Sequence, residues 1–229
     1  MEPLLERLNP QDCDMLIAAS NELHIPKNSL VFEEGTPAEH LYFLHTGNIR
    51  IFKTIDSGKE LTIFIRGVHD GFGEIGVFGG VNYSNSAKAL QDSVIYAIKR
   101  NTIEALLSQN GGLSLHFTRW LAESLEASKA KMRDYIAFGS EGAVASVFVR
   151  YANMHGVVTP GGIQITEPVM IQDISRHIAV SRETVSRIVN KWKKEGLIDN
   201  ENKRYRIKNM DYFRELLVCE QCSVENCVL

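Results

Sequence analysis

The chain has 229 residues, a formal net charge of −3 and 44% hydrophobic residues, enough for one or two domains with proper cores. No apolar run approaches the roughly 18 residues that span a bilayer, and the amino terminus MEPLLERLNP lacks the basic stretch and apolar core of a secretory leader. A membrane or secreted protein is therefore disfavoured, and a cytoplasmic one is expected. Four cysteines, three of them in the last eleven residues, are not a disulfide framework spread through a fold.

From Leu23 to Ile98, short β-rich runs (SLVFEEG, HLYFLHTGNIRIFKTI, ELTIFIRGV, VIYAI) alternate with Gly, Asn, Asp and Pro. Many short strands at this spacing predict a sandwich or barrel. Gly47 with Asn48 and Ser57 with Gly58 mark turns, and six glycines from Gly67 to Gly80 mark a region of sharp bends.

Between Gly112 and Phe138 there is neither proline nor glycine. Leu121, Leu125, Ser128, Met132 and Tyr135 recur at intervals of 4, 3, 4 and 3, a short heptad seam that Phe117 extends one turn back. Such a seam suits either a partner helix or packing on the helix's own domain. Asp134 lies near the end of this helix, where an acid faces the negative end of the helix dipole.

Further on, Ile171, Ile174 and Ile178 make one amphipathic helix, and Val185, Ile188, Val189 and Trp192 make the apolar stripe of a second. Ser181 is a good N-cap, and Gly196 with Leu197 and Ile198 is a Schellman-type stop. The short connection through Ala179 and Val180 predicts a helix-turn-helix. Arg182, Glu183, Ser186, Arg187 and Asn190 then face away from the stripe. An arginine fork matches guanine O6 and N7, and a glutamate accepts from the cytosine amino group, so this face is equipped to read G·C pairs of double-stranded DNA. Residues 171–208 hold ten Lys or Arg against five Asp or Glu, a net of +5 within an acidic chain. Lys193 is an expected phosphate neighbour.

The tail VCEQCSVENCVL carries Cys219, Cys222 and Cys227, a C-x2-C-x4-C spacing that can wrap a metal site. Zinc and iron-sulfur chemistry both use such pairs. Three thiolates leave one position open, which structural zinc would fill with a further Cys or His and which a cubane [4Fe-4S] cluster can fill with another donor. Cys13 stands alone. No nucleophile, base and orienter come together in the sequence, and the seven histidines (His24, His40, His45, His69, His116, His155, His177) lack ligand spacing, so an enzyme is not expected.

The string IQDISRHIAVSRETVSRIVNKWKKEGLI resembles the helix-turn-helix of the CRP/FNR family of bacterial transcription regulators. The resemblance implies an α+β chain with a cyclic-nucleotide-binding-like β jelly roll in residues 1–110, a long dimerisation helix in 111–138, a winged helix-turn-helix in 139–212 and a cysteine tail in 213–229. It implies base contacts by Arg182, Glu183 and Arg187, a TGTGA-type half-site read twice by a dimer, and RNA polymerase as a partner. Ala179 stands where the family has glycine in the turn; at a positive φ it would cost about 1 kcal/mol. In the jelly roll, Gly73, Glu74, Ile75 and Gly76 resemble the start of the family's phosphate-binding cassette, but Asn85 and Ser86 stand where it wants an arginine and a serine or threonine. A buried phosphate without a guanidinium is costly, so a cyclic nucleotide is disfavoured.

The tail spacing, together with the segment Lys131, Met132, Arg133 and Asp134, resembles the bacillus-type FNR branch. That resemblance implies a [4Fe-4S] cluster held by Cys219, Cys222, Cys227 and Asp134, and an oxygen-sensing regulator. The rival keeps the same DNA-binding fold but is controlled by a small molecule in the jelly-roll pocket, with zinc or redox-active cysteines in the tail.

Overall fold

The computed structural model describes residues 2–55, 58–219 and 227–229. The chain divides into two compact units, Glu2–Ala122 and Glu123–Leu229.

The first unit opens with a 3-10 turn, Leu4–Arg7, and helix α1, Pro10–Ala18, which Asn9 caps by accepting from the Asp12 amide. Strands β1 (Asn21–Ile25), β2 (Leu30–Phe32), β3 (His40–Thr46), β4 (Ile49–Ile55), β5 (Lys59–Arg66) and β6 (Gly71–Phe72) follow. After helix α2 (Glu74–Gly79) come β7 (Ser86–Ala89), β8 (Ser93–Lys99), α3 (Arg100–Gln109) and the start of α4 (Gly111–Ala137). Two four-stranded antiparallel sheets, ordered β1-β8-β3-β6 and β2-β7-β4-β5, enclose a core that includes Phe32, Leu44, Ile51, Phe64, Phe72 and Ile95. The β3–β4 turn needs glycine: Gly47 has φ +100°, and a Cβ there would lie 2.1 Å from the Ser93 hydroxyl. Strand alternation puts Thr62, Phe64 and Arg66 of β5 on one buried face, which draws a guanidinium inside the unit.

The unit continues past the expected boundary at residue 110 because the first turns of α4 bury Leu113, Phe117 and Trp120 within it. The Trp120 indole donates to Asp70 at 2.9 Å. Phe117, expected in the dimer seam, is 3% exposed and packs edge-on against Phe78 and Trp120, so it is a core residue of this unit and unavailable to a partner helix.

The second unit holds the rest of α4, then α5 (Gly139–His155), β9 (Gly156–Thr159), β10 (Gly162–Ile165), α6 (Ile171–Ile178), α7 (Arg182–Lys194), β11 (Ile198–Glu201), β12 (Arg204–Ile207) and α8 (Met210–Leu216). Its sheet is antiparallel in the order β11-β12-β10-β9, a wing beside the helices. Helix α5 is buried from Gly142 to Ala152. Phe148 meets Trp192 and Tyr205 edge-on, and Trp192 meets Phe213 in the same way, which locks α5, α7, β12 and α8 around one aromatic cluster. Phe213, Leu217 and Leu229 are buried in this core, so the segment expected as a separate tail from residue 213 begins and ends inside the domain.

Candidate functional site

Helix α7 forms as the sequence pattern requires. Ser181 accepts from the Thr184 amide, and the stop is a Schellman pair: Leu197 N–H donates to Trp192 C=O at 2.9 Å and Gly196 N–H to Lys193 C=O at 3.1 Å, with Gly196 at φ +72°. Val185, Ile188, Val189 and Trp192 are buried, while Arg182, Glu183, Arg187 and Asn190 are exposed and Ser186 is half-buried. Ala179, in the turn from α6, has the left-handed φ of +54°. The Glu183 carboxyl is held below the usual carboxylate range by its own backbone amide and by the Ser181 hydroxyl, so this residue also caps the first turn. Lys193 sits differently from its neighbours. Its ammonium donates to Asn200 of β11 and lies 5.5 Å from the centre of the Tyr205 ring, which makes it a link between α7 and the wing.

Glu141, which the sequence reading passed over, fixes the orientation of α7. One oxygen accepts from the Trp192 indole at 2.9 Å, from the Lys191 ammonium at 2.9 Å and from the Tyr212 hydroxyl at 3.3 Å. Burial pushes its carboxyl up, but these three donors together hold it below the usual value. One carboxylate on the first turn of α5 thus ties together α7 and α8.

Asp134 is not a solvated acid. It is 3% exposed, and both oxygens are engaged. Oδ2 accepts from the Ser146 hydroxyl at 2.8 Å and from Arg150 Nη1 at 2.8 Å, and Nη1 also donates to the Ser146 hydroxyl. Oδ1 accepts from Arg133, through Nη2 at 3.0 Å and Nε at 3.2 Å. Arg150 is 1% exposed, and its Nε has no hydrogen-bond acceptor among the described residues. A buried guanidinium with an unused N–H is suited to a further anionic group.

The tail returns to this neighbourhood. Asn153 Nδ2 of α5 donates to the Cys227 carbonyl at 3.0 Å, and the Leu229 amide lies 3.3 Å from the Met154 sulfur. Tyr135, next to Asp134, senses all the local charges: burial pushes its phenol up to about 12, Arg150 opposes this, and Asp134 and Cys227 add to it. Cys219 is exposed just beyond α8, its amide donating to the Arg214 carbonyl at 2.9 Å. Cys222 lies outside the described residues. Among the described residues, no three His, Cys, Asp or Glu side chains gather as a metal site.

Along α4, Leu125, Met132 and Ile136 are exposed, whereas Leu121 and Ser128 are half-buried and Tyr135 packs against the core of the second unit. The exposed apolar row therefore shares Leu125 and Met132 with the expected seam and adds Ile136.

In the first unit, a small cavity of about 30 Å³ is lined by Phe32, Arg66, Glu74, Tyr83, Ser84 and Asn85, among others. Asn85 donates only locally, to the Ser84 hydroxyl, and the Ser86 hydroxyl accepts from the Glu34 amide. The expectation that no guanidinium serves this pocket needs correction. Arg66, inward because of strand alternation, lines it; however, Asp70 lies 2.9 Å and Glu74 3.8 Å from this guanidinium. Burial raises the Glu74 carboxyl, with Arg66 opposing.

The chain matches the family model of the cyclic nucleotide-binding domain over residues 22–110 and that of the Crp-like helix-turn-helix domain over residues 142–216. It is 34% identical over 216 residues to the anaerobic regulatory protein of Bacillus subtilis, covering 93% of this chain and 91% of that protein. It is 24% identical over 208 residues to the CRP-like cAMP-activated global transcriptional regulator of Mycobacterium tuberculosis, covering 91% and 93%. Two solved structures share the fold. A CooA mutant from Carboxydothermus hydrogenoformans aligns with a TM-score of 0.81 at 19% identity, covering 94% of this chain and 96% of that one. The c-di-GMP responsive global regulator CLP of Xanthomonas campestris aligns with a TM-score of 0.77 at 20% identity, covering 88% and 100%.

Proposed function

Because the chain belongs to the CRP/FNR family of DNA-binding transcription regulators, we propose that it is a dimeric regulator of the response to oxygen limitation. In this reading it senses oxygen through a [4Fe-4S] cluster held by Cys219, Cys222, Cys227 and Asp134, and it reads TGTGA-type palindromic sites. The observation that carries the reading is the burial of Asp134 against Arg150 and Ser146, beside the stretch of α5 to which the end of the cysteine tail returns. The name of the Bacillus subtilis relative supports the link to anaerobic life.

The donor set suits the group. Three thiolates are soft anchors, and a carboxylate oxygen is a harder and more labile fourth ligand. Bound there, the group supplies an oxygen-sensitive anionic centre. The chain's own residues do the rest. Arg150 provides a buried counter-charge, and Asp134 with Cys227 ties the tail to the end of α4. Leu125, Met132 and Ile136 offer a face for the second subunit, and two copies of α7 then present Arg182, Glu183 and Arg187 at half-site spacing. Loss of the tie would release this arrangement, an order-disorder switch.

Control by a cyclic nucleotide is the weaker reading, because Arg66 already faces two carboxylates in a small cavity. Protein purified under argon distinguishes the two. A broad brown absorption that bleaches in air, with iron and acid-labile sulfide in equal amounts, is expected. A colourless protein that holds zinc would support the small-molecule rival.

A further inference from the structure

We infer that Asp134 is a split ligand: Ser146 and Arg150 on α5 are positioning residues that hold Oδ2, and Arg133 is the displaceable occupant of Oδ1, the oxygen that iron takes. This rests on the cluster reading above and adds roles for three residues that it leaves unassigned.

The two oxygens differ in what it takes to free them. Ser146 and Arg150 are one turn apart on a helix buried along this stretch, and both side chains are almost fully enclosed. Displacing Arg150 from Oδ2 would strand a buried guanidinium whose Nε already lacks an acceptor among the described residues. The Arg133 side chain, by contrast, is 38% exposed. Its guanidinium lies 6.0 Å from the centre of the Phe138 ring, and on leaving Oδ1 it can turn to water. Oxygen Oδ1 is therefore the one whose release strands no buried charge. An iron ligated by Oδ1 would replace the hydrogen bonds that Arg133 now donates to it, with no electron transferred, and without iron Arg133 holds that oxygen, so the buried carboxylate would have a partner in either state. A carboxylate oxygen with two alternative partners has two discrete states, as a switch requires.

The two kinds of residue then have opposite effects, which a merely structural role would not produce. Full-length protein loaded under argon is challenged with EDTA, and the decay of its visible absorption is followed. Ser146→Ala and Arg150→Lys should speed the loss by about tenfold or more, as for other residues that orient a metal ligand. Arg133→Ala removes the competitor for Oδ1 and should slow the loss, by up to about fivefold. Thermal melting of the cluster-free proteins is the second readout: Ser146→Ala and Arg150→Lys should lower the midpoint, and Arg133→Ala should leave it nearly unchanged. If Arg150→Lys fails to fold, Ser146→Ala carries the comparison. Cluster-bearing wild type with Arg133→Ala and Ser146→Ala shifted in the same direction, or not at all, would overturn the split ligand alone. Wild type that holds neither iron nor sulfide would overturn the cluster reading, and this inference with it.

Discussion

Replacing Glu141 by alanine removes the acceptor shared by Trp192, Lys191 and Tyr212. The indole belongs to a side chain that is 0% exposed, and leaving its N–H unsatisfied costs about 1–3 kcal/mol. The ion pair with Lys191, a side chain 49% exposed, is screened by solvent and adds little. Water can reach part of the space left by Glu141, so the expected total is about 1–3 kcal/mol. Glu141→Gln keeps an acceptor for the indole and loses mainly the charge, so it should cost less. The pH dependence has a definite sign. A carboxyl whose folded value is depressed contributes stability that is full above its unfolded value, taken as 4.5, and is lost as pH falls through the lower folded value. The wild type should therefore lose its advantage over Glu141→Gln below pH 4.5. Urea unfolding followed by Trp192 fluorescence, in a Trp120→Phe background, measures both effects. Equal stability of wild type and Glu141→Ala at neutral pH would refute the reasoning, as would identical losses for Ala and Gln.

Arg182→Ala or Glu183→Ala should cost about 1–3 kcal/mol on the cognate duplex and relax selectivity at one base pair per half-site, while Lys193→Ala weakens cognate and scrambled duplexes alike; equal losses on both duplexes for all three variants would defeat the base-reading assignment. Isothermal calorimetry with cyclic AMP or cyclic GMP up to about 1 mM should show no saturable heat, and binding abolished by Glu74→Ala would restore the pocket as the sensor. Met132→Glu places like charges face to face across a two-fold helix pair and should shift sedimentation from dimer to monomer, whereas an unchanged dimer would move the interface off this row.

Legibility from sequence followed the periodicity of each element. Helix α7 was readable to the residue, because a half-exposed helix shows its stripe and its caps are local: Ser181 and Gly196 need only their own neighbours. Helix α5 was not. It is enclosed through most of its length, so GAVASVFVRYA is apolar without a period, and short apolar runs do not distinguish helix from strand. Within it, Arg150 is the signal that could have been used, since a lone charge in such a run implies a buried partner. In the same way, strand alternation alone places Arg66 on the inward phase of β5, a guanidinium that the cassette position of Asn85 does not supply. Phe117 was misassigned because α4 carries two overlapping stripes. One buries Leu113, Phe117 and Trp120 in the first unit, and heptad counting cannot separate it from the exposed row. Asp134 was singled out by its segment, but its partners lie 12 and 16 residues away, beyond any local pattern.

Whether Asp134 and the tail thiolates together couple a cluster to DNA binding can be read by comparing wild type with Asp134→Asn under argon. Asparagine keeps hydrogen-bonding capacity toward Ser146 and Arg150 while removing the anionic ligand, whereas alanine would leave Arg150 buried and unpaired at a cost of about 3–5 kcal/mol. Iron, sulfide and specific DNA affinity are measured on the same samples at one fixed salt concentration, because salt alone shifts the affinity. Asp134→Asn should retain part of its iron and sulfide through the three thiolates while its specific DNA affinity falls to that of cluster-free protein. Full cluster content with wild-type DNA affinity and a wild-type response to air would contradict that coupling.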